Sequence, residues 1–480
     1  MITSSDRAAT RSTSELELSS ETMHSLVDQA MERIAAYIES LPWQPASDVS
    51  GARELTQSLV EEAPRRGTPF PVLLDLLFEK VFPKSFNTAG PGYLAYIPGG
   101  GIFHSAVADL ISDSVNRYPG VWIVAPGVSQ LEANVVRWFC DFVGYPREAR
   151  GMLTTGGSMA NFTAVVTARR TRLPANFLTG VLYGSDQVHY SMAKAAVMAG
   201  FPEENFHEVP SDERFRVRTD LLVQAIDRDR DRGLSPFMIV GNAGTVNTGA
   251  VDDLEALAEI AAEKNLWFHV DAAYGGFFVL TERGRTALRG MERADSVTLD
   301  PHKALFLPYG TGALLVREGE CLRQAHAAHA RYLPTMQDDP DLVDFCLYSP
   351  ELSRGFRGLR VWLPFKMHGI EPFRENLDEK LDLIQWVMSE LLKLPEIEIV
   401  AAPQLTIVAF RLVRTGLSEE RLNELNRLLL QQVNAKKRVY LSGTTLFNRF
   451  VLRICVLSFR THLDRLEAAL EDLRESIKEV

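Results

Sequence analysis

A mainly parallel α/β sheet with helices on both faces, preceded by a helical segment and followed by a smaller α+β unit, is the fold class this sequence predicts. Two observations predict it. Through the middle of the chain, short apolar runs that end in Gly or Asp alternate with longer stretches of helical period, the pattern of crossover units in a parallel sheet. Beyond Trp362 this rhythm gives way to long helices and strands that suit a separate layer. The expected divisions are 1–95, 96–362 and 363–480.

In the first division, Leu26, Ala30, Ile34, Ala35 and Ile38 recur every three or four positions, which makes 16–40 an amphipathic helix. Pro42, Pro45 and Pro64 then break the chain into short pieces. In the second, strands are expected at 152–154, 181–183, 238–240, 266–270, 296–299 and 313–316, with helices at 160–170, 191–199 and 254–264 between them. In the third, helices are expected at 377–392, 418–433 and 462–477, and strands at 405–412, 438–441 and 450–457.

Composition excludes several function classes. A chain of 480 residues exceeds the ~100–200 residues of one ordinary domain, so it is not a single small binding module. Its 51 basic and 62 acidic residues give a net charge of −11, which repels a phosphate backbone, and no nucleic-acid partner is expected. Cys140, Cys321, Cys346 and Cys455 show no CxxC spacing, so neither a zinc ribbon nor a disulfide scaffold is expected, and a reducing cytoplasm fits. No stretch of ~20 apolar residues offers a membrane span, and the N-terminus lacks the apolar run of a signal peptide, so neither a membrane nor export is expected. Nor is there a GxxxxGK[ST], an HExxH or a GxGxxG after a strand, and no metal is expected.

Chemistry is concentrated just after the strands, where ligands of parallel sheets bind. Thr154-Thr155-Gly156-Gly157-Ser158 joins a strand to a helix; its glycines allow close approach of an anion, and the helix start supplies free N–H groups. The same string also serves as a plain turn with a capping serine. Asp271 follows an apolar strand with no Arg or Lys in its own segment, so it either caps a helix or awaits a cation from elsewhere. Lys303, in Asp300-Pro301-His302-Lys303, follows another strand and leads into Ala304-Leu305-Phe306-Leu307, which turns its amine toward a partly desolvated cleft, as a nucleophilic lysine requires. His189 lies at the same sheet edge, between a strand and a helix. An anion cradle, a carboxylate and a lysine at successive strand ends suit a phosphorylated aldehyde with a basic ring nitrogen. That describes pyridoxal 5′-phosphate, with Lys303 forming the Schiff base and Asp271 facing the pyridine nitrogen.

On His189, the segment His269-Val270-Asp271-Ala272-Ala273-Tyr274-Gly275-Gly276 and Asp300-Pro301-His302-Lys303, the sequence resembles the group II pyridoxal-phosphate decarboxylases of fold type I, the aromatic-L-amino-acid decarboxylase family. The likeness runs from about Pro91 into the C-terminal division. It implies a homodimer in which the N-terminal segment clasps the partner, and a cofactor site near the interface. It also implies that His189 and Ala273 lie on opposite faces of the cofactor ring, that Gly156, Gly157 and Ser158 hold the phosphate, that Thr245 is a further cofactor contact, and that His302 assists beside Lys303.

A loop over the site carries a tyrosine in this family, here Tyr332, which by the resemblance protonates the substrate carbon. Members that release aldehydes by oxidative deamination tend to lack this tyrosine or the stacking histidine, and both are present here. The segment with Tyr96, Ile97 and Pro98 corresponds to one lining the substrate pocket, with Ile97 where phenylalanine is familiar; Gly120 and Val121 beside Trp122 also suggest a reshaped pocket. The asparagine–glutamine signature of glutamate and cysteine-sulfinate decarboxylases is missing. The implied activity is decarboxylation of an L-amino acid, aromatic by preference. The alternatives are an aldehyde-forming oxidative deaminase, a decarboxylase of a non-aromatic amino acid, or a scaffold without catalysis.

Overall fold

The computed structural model describes residues 15–328, 339 and 341–480. Seven strands make the larger sheet: β1 (Arg150–Thr154), β2 (Gly180–Ser185), β3 (Phe206–Val209), β4 (Ser235–Asn242), β5 (Trp267–Ala272), β6 (Ser296–Leu299) and β7 (Gly312–Val316). Their order is β1-β7-β6-β5-β4-β2-β3. Neighbours from β3 to β6 are parallel, whereas β7 runs antiparallel between β1 and β6. The expected mainly parallel α/β architecture is therefore present. A second sheet, ordered β10-β11-β9-β8 and antiparallel throughout, is built from β8 (Ile397–Ala401), β9 (Ile407–Leu412), β10 (Ser442–Leu446) and β11 (Arg449–Cys455).

The strands of the larger sheet are apolar at consecutive positions because both faces are covered. Met152, Leu182, Met238, Trp267 and Leu314 pack on one side with Ala160, Ala164 and Ala168 of the helix Gly157–Arg172. Their chain neighbours Leu153, Tyr183, Ile239, Phe268 and Leu315 point the other way, to the helices Pro126–Val143, Thr219–Asp231 and Leu254–Glu263. This is the two-residue alternation of a strand read on two buried faces. The small side chains at 160, 164 and 168 let the helix Gly157–Arg172 lie close to the sheet.

Three edge strands, β3, β8 and β10, depart from the sequence expectation. β3 and β8 were invisible as apolar runs because each is a half-solvated edge, with Glu208 exposed in one and Glu398 part-exposed in the other. A strand expected at 438–441 is instead at Ser442–Leu446; its polar Gly443, Thr444 and Thr445 hide it, while Tyr440 makes only an isolated bridge to Tyr93. The N-terminal helix Ser20–Ser40 starts where Ser19 accepts the Thr22 N–H at 3.1 Å, and none of its residues is buried.

The segment 97–102 crosses the turn that carries Lys303: Ile102 N–H donates to the Phe306 carbonyl at 2.7 Å, and a Cβ on Gly99 would sit 2.1 Å from the His302 carbonyl oxygen. Gly99→Ala is accordingly expected to lower stability by roughly 1–3 kcal/mol in a denaturant titration. Gly127→Ala, where nothing lies within 4 Å, is expected to be neutral or slightly stabilising. Burial also pushes His269 and His326 from the ordinary 6.5 down to about 4. Both stay neutral when folded, so their contribution is complete above 6.5 and is lost as pH falls toward 4, where the unfolded chain takes up protons first. Denaturation midpoints should fall through that window, and more shallowly in His326→Gln.

Candidate active site

One cavity of about 510 Å³ opens at the carboxyl ends of the parallel strands. β1 delivers Thr155, Gly156, Gly157 and Ser158; β2 leads to His189; β4 ends at Asn242 and leads to Thr245. β5 delivers Asp271 and Ala273, and β6 leads to Asp300, His302 and Lys303. Each side chain is held by its strand end, so residues more than a hundred positions apart in sequence meet without a long loop between them.

The Lys303 amine is 3.0 Å from Asp300 Oδ2, and the short helix Pro301–Ala304 makes these two neighbours by closing a turn, with Lys303 N–H donating to the Asp300 carbonyl at 2.9 Å. Asp300 is only 2% exposed, and its other oxygen, Oδ1, has no hydrogen-bond partner among the described residues. His302 donates from Nδ1 to the Thr311 carbonyl at 2.7 Å, which leaves Nε2 toward the cavity, 3.7 Å from Asp300 Oδ2.

Asp271 is 8% exposed and accepts from Asn161 Nδ2 at 2.8 Å and from the Ala273 N–H at 3.2 Å. Among the described residues no Lys, Arg or His forms an ion pair with it. His189 is part-buried; burial holds its imidazole below the ordinary value, against the opposing pull of the Asp271 carboxylate. Thr245 is buried and shares a 2.9 Å hydroxyl contact with Thr248. At the start of the helix Gly157–Arg172 the first N–H groups have no partner within the helix. A Cβ on Gly157 would lie 3.0 Å from Asp300 Oδ2 and 3.2 Å from Ala273 Cβ, so glycine lets this helix start come near the carboxylate turn without a tight contact.

Of the residues singled out in the sequence, Gly156, Gly157, Ser158, His189, Thr245, Asp271, Ala273, His302 and Lys303 all line this cavity, as do Tyr96 and Ile97. Pro98 and Trp122 do not. Pro98 is buried within the crossing segment, and Trp122 sits in the turn Trp122–Val124, its backbone N–H donated to Asp344 Oδ1 at 2.6 Å. Tyr332 lies outside the described residues. Asn161, Ser191, Asn242, Tyr309 and the carboxylate of Asp300 line the cavity without having been singled out. For Asn161 the signal was present, since it stands four residues after Gly157 and so on the same helical face.

The family described as the pyridoxal-dependent decarboxylase conserved domain matches residues 54–413. An aromatic-L-amino-acid decarboxylase from Bacillus atrophaeus is 34% identical over 467 residues, 97% of each chain. A phenylacetaldehyde synthase from Arabidopsis thaliana is 28% identical over 88% of this chain and 89% of its own. Among solved structures, Oryza sativa TDC with PLP and tryptamine superposes with a TM-score of 0.92 at 25% identity, covering 96% of this chain and 99% of that one. A match across three quarters of the chain, agreeing with a lysine, a carboxylate and an anion cradle gathered at one sheet edge, places this chain in the pyridoxal-dependent decarboxylase family, as an amino acid decarboxylase whose cofactor is pyridoxal 5′-phosphate.

Proposed function

We propose that this chain decarboxylates an aromatic L-amino acid to the corresponding amine. The observation that carries the choice of substrate is the composition of the cavity wall. Tyr93, Tyr96, Ile97 and Tyr309 supply apolar and aromatic surface, while Lys303 is the only Lys or Arg among the described lining residues and is taken up by Asp300. A substrate with an acidic side chain would find no free cation there, whereas an aromatic ring would find flat surface.

The residues fit the cofactor by their donor set. The open N–H groups at Gly157 and Ser158 suit a phosphate, Asp271 lacks a cation and suits a protonated ring nitrogen, and Lys303 offers the amine. Bound there, pyridoxal phosphate supplies an aldehyde carbon for amines and a ring that accepts the electron pair left when carbon dioxide departs. We assign Gly156, Gly157, Ser158 and Thr245 to holding it, His189 and Ala273 to its two ring faces, and Lys303 to its covalent attachment. His302, with Nε2 toward the cavity and near Asp300 Oδ2, is assigned to moving a proton beside Lys303. Tyr332 is assigned to protonating the α-carbon after the carboxylate has gone; this step separates amine release from the aldehyde chemistry in the name of the Arabidopsis relative.

The exposed face of the helix Ser20–Ser40, with Met23 and Val27 uncovered, supports a second copy of the chain as its partner in a homodimer. A screen of L-amino acids for carbon dioxide release tests the reading. Aromatic substrates should react, Lys303→Ala should abolish turnover, and Tyr332→Phe should slow amine formation about 10²–10⁴-fold. Turnover confined to acidic or aliphatic amino acids would reject the substrate class. Hydrogen peroxide formed in step with product would reject simple decarboxylation.

A further inference from the structure

A run of buried hydrogen bonds ties Asp271 to His189 through a residue that belongs to neither strand end. Asn161, 1% exposed on the helix Gly157–Arg172, donates from Nδ2 to Asp271 Oδ2 at 2.8 Å and to Ser191 Oγ at 3.0 Å. Its Oδ1 is 3.2 Å from His269 Nε2. Ser191 Oγ lies 2.8 Å from His189 Nδ1, and the Ser191 N–H donates to the same nitrogen at 3.3 Å. On the far side, His269 Nδ1 is 2.8 Å from Ser296 Oγ, which accepts the Trp267 indole N–H at 2.8 Å.

The direction of every bond follows from its ends. The Asp271 carboxylate can only accept, so the Asn161 amide turns Nδ2 to it and Oδ1 to His269 Nε2. An amide oxygen can only accept, so the ring proton of His269 is on Nε2, and its Nδ1 takes the Ser296 hydroxyl proton while Ser296 Oγ accepts the Trp267 indole N–H. The Ser191 backbone N–H can only donate, so His189 Nδ1 is an acceptor and takes the Ser191 hydroxyl proton as well. That nitrogen receives two donors, so His189 carries its ring proton on Nε2. The neutral His269 that this order requires agrees with burial pushing it down to about 4.

We propose that Asn161 is a positioning residue that sets the orientation of the Asp271 carboxylate and the tautomer of His189 as one unit, with Ser191 as the link and His269 as the anchor. This rests on the assignment of Asp271 and His189 to the cofactor ring. Because the amide commits both N–H donors and its carbonyl oxygen to three partners, it cannot turn without breaking all three bonds.

The test is the affinity of the apoprotein for pyridoxal 5′-phosphate, followed by the visible absorption of the bound form, in the parent, Asn161→Ala, Ser191→Ala, their double variant and Ser191→Thr. Each alanine variant should bind about tenfold more weakly, since each removes a side-chain donor from Asp271 or from His189. The double variant should cost little more than the worse single one, and Ser191→Thr, which keeps the hydroxyl, should bind like the parent. Parent-like affinity in both alanine variants, or fully additive losses, would overturn the proposal. If Asn161→Ala does not fold, the Ser191→Ala and Ser191→Thr pair decides by the same criterion. A parent that takes up no cofactor would instead reject the functional reading on which the proposal rests.

Discussion

The buried carboxylate at the end of β5 is the constraint on which the site depends. Asp271 is nearly withdrawn from water, satisfied by two N–H donors, and unpaired with any protein cation among the described residues. A carboxylate in that state is expensive to keep unless a positive charge arrives to meet it. Its surroundings account for much of the chain's design. β5 must be apolar on both faces to sit in mid-sheet, helices must cover those faces, and the strands must run parallel so that their carboxyl ends open on the same side.

The helix Gly157–Arg172 serves the site twice. Its first turn presents open N–H groups beside the Asp300 turn, and one turn later Asn161 reaches Asp271. The two functions share one rigid element, so the distance between an anion held at the helix start and a ring facing Asp271 is fixed by helical geometry rather than by a loop. Opposite, the turn Pro301–Ala304 holds Lys303 against Asp300, and the crossing segment at Gly99 presses on that turn from above. The cavity is therefore bounded by elements whose positions are set by backbone packing.

Much of this was legible in the sequence because its signals are local. A buried parallel strand announces itself as a continuous apolar run, and a polar residue directly after it stands out; this is how Asp271, Lys303, His189 and the Gly156-Gly157-Ser158 turn were found. The edges were not legible, since β3, β8 and β10 carry solvated side chains that break the apolar pattern. Asn161 and Ser191 were passed over for a different reason. An asparagine inside a helix and a serine at a helix start are ordinary, and only the tertiary fold shows one amide bridging β5 and the start of the helix Ser191–Met198. Trp122 is not among the residues that line this cavity, and its backbone N–H donates to Asp344.

The most direct measurement is the dissociation constant of pyridoxal 5′-phosphate for the parent and for Asp271→Asn, with the melting temperature of both apoproteins as the reference for folding. If Asp271 is the charge awaited by the cofactor's ring nitrogen, the isosteric amide should melt near the parent yet bind the cofactor about 10–100-fold more weakly. Equal affinity in two equally stable proteins would contradict the account.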